Sequence, residues 1–264
     1  IMEVVILCGG KGSRLAEETS IRPKPMVELG GKPILWHIMK IYSNYGYKKF
    51  VLALGYKANY IKEYFYHSRI SSSDFTLKMK PHSEPVFHNA MADSDWEITF
   101  IDTGEDTLKG GRLKRLEDHI KGDNFFVTYG DGVADVDIRK LYEFHKEHNR
   151  LATVTAVHPP SRFGEMELKN DNVVSFQEKP QMKTGYINGG FFVFKKEVLN
   201  YLSADENCDL EFGALQTISE ENQLKAFIHN GFWHCMDNVR ERDYLNSLVE
   251  KNQASWLIKK EEYV

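Results

Sequence analysis

The chain has 264 residues, 42% hydrophobic and 27% charged, which suits one large α/β domain with a full core and excludes a miniature scaffold, a disordered chain and a membrane-embedded one. Its 34 Lys and Arg against 38 Asp and Glu leave a net charge of -4. No general cationic surface for nucleic acid or anionic lipid is therefore expected, and an anionic ligand has to be captured locally.

Val4-Val5-Ile6-Leu7 is a continuous apolar run closed by Gly9-Gly10, the pattern of a strand buried on both faces of a parallel sheet. After Lys32-Pro33, the residues Ile34, Leu35, Ile38, Ile41, Tyr42 and Tyr45 recur at helical spacing up to Gly46, which predicts a helix. Residues 50–54 read as the next strand, Tyr60, Ile61, Tyr64 and Phe65 as a helical face, and 96–101 as another strand. Residues 68–92, with Ser71-Ser72-Ser73, Pro81 and Pro85, show no period and are expected to run over the surface as a subunit contact or a moving lid. Strands are then predicted over 125–129, 152–157, 172–177 and 189–194, and a helix over 137–148. Late helices over 211–221 and 240–251 bracket a strand-like stretch at 227–236. The alternation predicts an α/β fold, a mostly parallel open sheet flanked by helices, with some antiparallel additions.

Three cysteines, Cys8, Cys208 and Cys235, form no C-x-x-C pair or zinc pattern, and the amino end lacks a secretory signature, so a reducing cytosol is expected. The longest apolar runs fall far short of the roughly 20 residues that span a bilayer.

Leu7-Cys8-Gly9-Gly10-Lys11-Gly12-Ser13-Arg14-Leu15 follows the first strand. Its glycines let backbone N–H groups approach an anion, and Lys11 and Arg14 add positive charge. Leu15 breaks G-x-G-x-x-G and the Walker A spacing is missing, so the loop is either a phosphate cradle of another kind or a tight strand-to-helix turn. In Arg22-Pro23-Lys24-Pro25-Met26, two prolines fix the backbone around one lysine and pre-orient its ammonium.

These two segments resemble the opening of the sugar-1-phosphate nucleotidyltransferases, L-x-G-G-x-G-[ST]-R-L followed by P-K-P-[ML]. Tyr129-Gly130-Asp131, Glu178-Lys179-Pro180, Asn188-Gly189-Gly190-Phe191 and Asp237 after Phe232-Trp233-His234-Cys235-Met236 continue the match in the family's order. Glu18-Thr19-Ser20, Ile34-Leu35-Trp36-His37, Gly55-Tyr56-Lys57 and Asp102-Thr103-Gly104 with Gly110-Gly111-Arg112 are most similar to the branch that takes CTP and glucose 1-phosphate. Thymidylyl and uridylyl relatives usually carry a Gln-Pro pair where this chain has Thr103-Gly104 followed by residues 107–112. Cys8 and Lys11 depart from the Ala and Leu common in the family.

The resemblance implies a Rossmann-like nucleotidyltransferase fold, with residues 2–238 as catalytic domain and 239–264 as a helical segment packed on it. It implies Mg²⁺-dependent transfer from CTP to glucose 1-phosphate, giving CDP-glucose for deoxysugars of bacterial surface polysaccharide. The enzyme would be a cytoplasmic homo-oligomer, hexameric by the family's habit, with neither nucleic acid nor membrane as partner. Arg14 and Lys24 would serve the triphosphate, and Lys179 would bridge the sugar phosphate and the reacting phosphate. Asp131 and Asp237, each after an apolar strand at the carboxyl edge of the sheet, would hold the magnesium, while Asp102, Asp135 and Asp137 read as caps or turns. Leu7, Cys8, Gly9, Gly10, Lys11, Gly12 and Ser13 would cradle the nucleotide, and Thr103, Gly104, Gly111 and Arg112 would join in reading cytosine. Tyr129, Gly130, Glu178 and Asn188 would read the sugar. The sugar phosphate, with a second pKa near about 6, is already an anion, so no general base is required. His145 and His148 read as solvated, and Trp256-Leu257-Ile258 as a subunit contact or a docked helix end, the family's habit favouring the first.

Overall fold

Val4–Leu7 is fully buried because parallel strands pair with it on both edges, Lys49–Leu54 on one and Asn124–Tyr129 on the other. Beyond Lys49–Leu54 lies Glu97–Asp102, also parallel, at the sheet's edge. On the other side Phe192–Lys195 runs antiparallel between Asn124–Tyr129 and Ala152–Val157, and Leu224–His229 pairs parallel with the far edge of Ala152–Val157. This computed structural model describes residues 2–88, 95–160, 165–169, 172–177 and 185–258. The expected mostly parallel sheet with antiparallel additions is the sheet found.

Side chains alternate across the central strand, so Val4 and Ile6 enter one core and Val5 and Leu7 the other. The first core is filled by the helix Ile34–Ser43, whose Leu35, Ile38 and Tyr42 pack with Leu52, Phe126 and Phe191. The second is covered by Leu113 and Leu116 together with Val198, Leu199, Leu210 and Ile218. No helix among the described residues is long and apolar enough to cross a membrane.

Four expectations change. The strand read over 189–194 is split into Ile187–Asn188 and Phe192–Lys195, because Gly190 and Phe191 take φ angles of 74° and 47° and turn the chain between them. Residues 68–92 begin as helix, since Ala58–Ser72 runs through two of the three serines, and a hairpin of Phe75–Thr76 with Val86–Phe87 follows. Its Phe87 ring lies 4.0 Å beneath the Arg69 guanidinium, and 89–92 lie outside the described residues. His145 is buried rather than solvated, because Thr153 and Asn124, on two strands of the sheet, supply partners at 2.8 and 3.2 Å. Trp256 is a docked end, 2% exposed, stacked on Phe232 and donating from Nε1 to His37 Nδ1 at 3.2 Å.

Candidate active site

The carboxyl ends of the parallel strands open into a cleft of about 510 Å³, lined by the loop from Leu7 to Arg14, by Lys24, by Thr107 to Lys109 with Arg112, and by Thr128 to Gly132, Trp233, Cys235 and Asp237. A larger hollow of about 920 Å³ lies between Trp36, Phe65, Trp96 and Phe100, but it gathers no set of fixed cations and carboxylates like the cleft's. The cleft is therefore the candidate site.

Two glycines show how the loop is locked. Gly12 takes a left-handed φ of +62°, and a Cβ there would meet Thr19 Cγ2 at 2.8 Å and Lys24 Cβ at 3.1 Å. Gly9 has no left-handed backbone, yet its Cβ would lie 2.1 Å from Nη1 of Arg112. The Arg112 guanidinium, on a residue 4% exposed, donates to the carbonyls of Gly9, Leu54, Gly104 and Glu105 and to Thr103 Oγ1 at 2.6–3.1 Å. One side chain thus ties the glycine-rich loop to residues 103–105. Burial pushes the Cys8 thiol far above its usual range, which makes it a packing group and not a nucleophile.

Lys24 is held as its bracketing prolines suggest. Pro23 is extended, Lys24–Met26 forms one 3₁₀ turn, and Pro25 packs on Gly130, where a Cβ would sit 3.0 Å from Pro25 Cγ. The lysine, 8% exposed, donates from Nζ to Asp131 Oδ2 at 2.7 Å and to Asp237 Oδ1 at 2.6 Å. Burial pulls its pKa down, but the two carboxylates outweigh that and the net shift is upward. Asp237 is pushed up by burial and held down on balance by Lys24, with Arg14 Nη1 3.0 Å from its Oδ2. Two carboxylates meeting on one ammonium beside an open cleft are the hard-oxygen donor pair that suits a divalent cation of the Mg²⁺ kind.

Tyr129 also lines the cleft, and its Oη donates to Glu211 Oε1 at 2.6 Å and accepts from Asn188 Nδ2 at 2.8 Å. Lys109 ion-pairs with Glu211 and stands over the Tyr129 ring, 4.9 Å from its centroid.

Leu7, Cys8, Gly9, Gly10, Gly12, Ser13, Arg14, Lys24, Arg112, Tyr129, Gly130, Asp131 and Asp237 are thus gathered around one cleft. Thr103, Gly104 and Gly111 stand behind it: the Thr103 amide goes to Leu54 O, that of Gly104 to Asp102 Oδ1 and that of Gly111 to Cys208 O. Lys11 turns outward to Asp106 at 2.7 Å, and Glu178 and Lys179 lie outside the described residues. Asp137 caps the helix Ile138–His148 and Asp102 closes a turn, while Asp135 pairs with His229.

Sequence reasoning missed Lys109, Glu211, Cys235 and Glu241. Glu241 accepts from the Asp237 amide at 2.6 Å, and its own amide donates to Asn238 Oδ1, so the Asn-x-x-Glu spacing of a helix start was a usable signal. Cys235 lies 3.7 Å from Asp237, its thiol pushed up to about 12 by burial and then by Asp237, so it stays protonated. Glu211 had no such local signal, because its partners are about 80 to 100 residues away in sequence.

The chain matches the model of the nucleotidyl transferase family over residues 3–239. It is 47% identical over 256 residues to glucose-1-phosphate cytidylyltransferase of Salmonella typhimurium, covering 97% of this chain and 98% of that relative. It is 31% identical over 256 residues to mannose-1-phosphate guanyltransferase of Saccharomyces cerevisiae, covering 94% of this chain and 64% of that one. Among solved structures, HddC from Yersinia pseudotuberculosis matches with a TM-score of 0.65 at 25% identity, over 94% of this chain and 100% of that chain. The inositol-1-phosphate CTP transferase of T. maritima shares the fold, with a TM-score of 0.66 at 16% identity over 97% and 96%.

Proposed function

Because the chain belongs to the nucleotidyl transferase family, we propose that it transfers the cytidylyl group of CTP to α-D-glucose 1-phosphate, giving CDP-glucose and pyrophosphate. The observation that carries this reading is the meeting of Asp131 and Asp237 on Lys24 next to the Leu7-to-Arg14 loop, in a chain 47% identical to a glucose-1-phosphate cytidylyltransferase.

The chemistry needs positioning and charge more than proton transfer. An oxygen of the sugar phosphate attacks the α-phosphorus of CTP and forms the new P–O bond, while the bond to the β-phosphate breaks and pyrophosphate leaves with the electron pair. Repulsion between the two phosphates is the main obstacle, and Arg14 and Lys24 are the cations of the cleft that offset it. Arg14, with a side chain 74% exposed, reaches into solvent where a triphosphate enters, whereas Lys24 brings its charge from below. Lys179 would serve the sugar phosphate beside Glu178, Tyr129, Gly130 and Asn188, an assignment that rests on the sequence motif. The family works with a divalent cation. We assign Mg²⁺ to Asp131 and Asp237, where it would neutralise phosphate oxygens. Arg112 frames the base pocket by fixing the Gly9 and Gly104 carbonyls.

In the same reading the enzyme is a cytoplasmic homo-oligomer, in keeping with its free cysteines. A second copy would cover Tyr66, Ile70, Phe75, Leu77, Met79 and Val86, exposed apolar side chains gathered by one helix and the hairpin beside the sheet's edge. Sedimentation of Met79→Asp tests this, and an unchanged mass would remove that face from the contact.

Pyrophosphate release is the direct test, measured for CTP, UTP, dTTP, ATP and GTP with glucose 1-phosphate and other sugar 1-phosphates. Preference for CTP with glucose 1-phosphate is expected. Dominance of another pair would sink the substrate assignment, and silence across all pairs would sink the catalytic one.

A further inference from the structure

Glu211 lies outside every motif that the family resemblance supplies, yet it holds two groups that line the sugar side of the cleft. Its Oε1 accepts the Tyr129 hydroxyl proton at 2.6 Å and pairs with the Lys109 ammonium. Its Oε2 is buried and takes no hydrogen bond among the described residues. The residue sits in a helical turn, Leu210–Leu215, that is kinked at Phe212, and Asp209 caps its start by accepting from the Glu211 and Phe212 amides. Gly110 fits against this segment so closely that a Cβ would come within 2.8 Å of Cys208 O, which locks the helix carrying Lys109 and Arg112 to the turn carrying Glu211.

A count of donors shows what Glu211 does. A phenol has one proton to give, and Tyr129 gives it to Glu211. Its oxygen already accepts from Asn188 Nδ2, whose Oδ1 is in turn fixed by the Gly190 amide at 2.9 Å. Tyr129 can therefore only accept from a ligand, and the amide orientation of Asn188 leaves its second N–H to donate. Lys109 is held at the same wall as a donor.

We infer that Glu211 is a positioning residue for sugar selection: it sets the hydrogen-bond polarity of this wall, fixing Tyr129 as acceptor and Lys109 as donor, so that hydroxyls of one configuration are paired and those of an epimer are not. The inference rests on the proposed sugar-phosphate site and deepens it. A site with fixed polarity rejects the wrong epimer by leaving its own groups unpaired.

The test is steady-state kinetics of Glu211→Gln with glucose 1-phosphate and galactose 1-phosphate. The amide keeps the shape but cancels the ion pair and can turn an N–H toward Tyr129. KM for glucose 1-phosphate should rise at least about tenfold and discrimination between the epimers fall by about as much, with KM for CTP within about twofold. Tyr129→Phe should give the same pattern, and the double variant little more than either alone. Unchanged sugar KM and discrimination in Glu211→Gln, or an equal rise in KM for CTP, would overturn the inference. If Glu211→Gln does not fold, Tyr129→Phe decides by the same readout. A wild type that uses another nucleotide overturns the substrate proposal instead, and the Glu211 test is then read on the sugar 1-phosphate actually used and its epimer.

Discussion

Lys24 and Arg112 are two cations buried at the same cleft, held in opposite ways. Lys24 meets two carboxylates, Asp131 and Asp237, at 2.7 and 2.6 Å. Arg112 meets four backbone carbonyls and one hydroxyl, and no salt bridge to it is found among the described residues. A guanidinium is a rigid planar fork whose donors match fixed dipoles, so Arg112 acts as a pin between loops. An ammonium is a compact charge on a flexible stem, and carboxylates that hold it can also hold a metal. Arg112 builds the cleft, whereas the proposed function gives Lys24 a part in its chemistry.

The sharpest way to break this contrast is to remove the Lys24 charge. Lys24→Met should lower turnover by about 10²–10³-fold, the loss typical of one fixed electrostatic contact to a reacting group, and Asp131→Asn by at least as much with CTP still bound. Near-normal turnover of Asp131→Asn would take Asp131 out of the proposed metal site. The pair also predicts a pH signature in metal-free unfolding. Asp237, held below its ordinary 3.8, contributes stability above that pH and loses it as pH falls through its lower folded value. Lys24, raised above 10.5, contributes below that pH and loses it as pH rises through its higher folded value. The midpoint difference between wild type and Lys24→Met should therefore be flat between about pH 5 and 9 and narrow in acid. A difference that grows in acid would contradict the pairing.

Arg112→Met should act on stability first. It strips donors from buried carbonyls of Gly9 and Leu54, and a loss of about 3 kcal/mol is expected from urea unfolding, together with a raised KM for CTP. A loss below about 1 kcal/mol would mean that the loops hold themselves.

Lys24 and Arg112 also mark what could be read from sequence. The bracketing prolines made Lys24 visible through a fixed φ, and Asp131 stands at the end of a central strand, whereas Asp237 follows Trp233–Cys235 of a separate two-stranded sheet and was picked out by the family resemblance. The central strands were legible from local signals too, since Val4–Leu7 and residues 50–54 are continuous apolar runs covered on both faces. The pinning role of Arg112 was not visible, because it depends on loops from three strand ends meeting in space. Glu211 was hidden likewise, and His145 looked solvated because its buried partners come from other elements. The split of residues 187–195 needed the positive φ of Phe191, which its residue type does not announce.

A smaller effect separates clash from lost bonding. In Gly9→Ala the new methyl would sit 2.1 Å from Arg112 Nη1, so the guanidinium has to move and some of its bonds go with it. About 2 kcal/mol is expected, within the range for overpacking a filled site. In the Arg112→Met background the flexible thioether yields, and the same substitution should cost clearly less. A double-mutant cycle that comes out additive would show that the two positions do not share their energy, against the pin.

The smallest expected effect is at Lys11, the one loop cation that faces away from the cleft. Its ammonium lies 2.7 Å from Asp106 and 3.9 Å from Glu105, joining the glycine-rich loop to the loop that Arg112 pins from below. All three side chains are more than half exposed, so water and salt screen the attraction and ordering two long side chains offsets much of the rest. Arg112 already ties these loops with donors that solvent does not reach, which leaves Lys11 little to add. Lys11→Leu should raise KM for CTP by no more than about threefold at low ionic strength, and the rise should vanish at about 0.5 M salt, where exposed charges are screened within a few ångströms. A large rise that survives salt would mean that Lys11 swings inward onto the nucleotide, and the division between a pinned base loop and a charged reaction centre would then have to include a third cation.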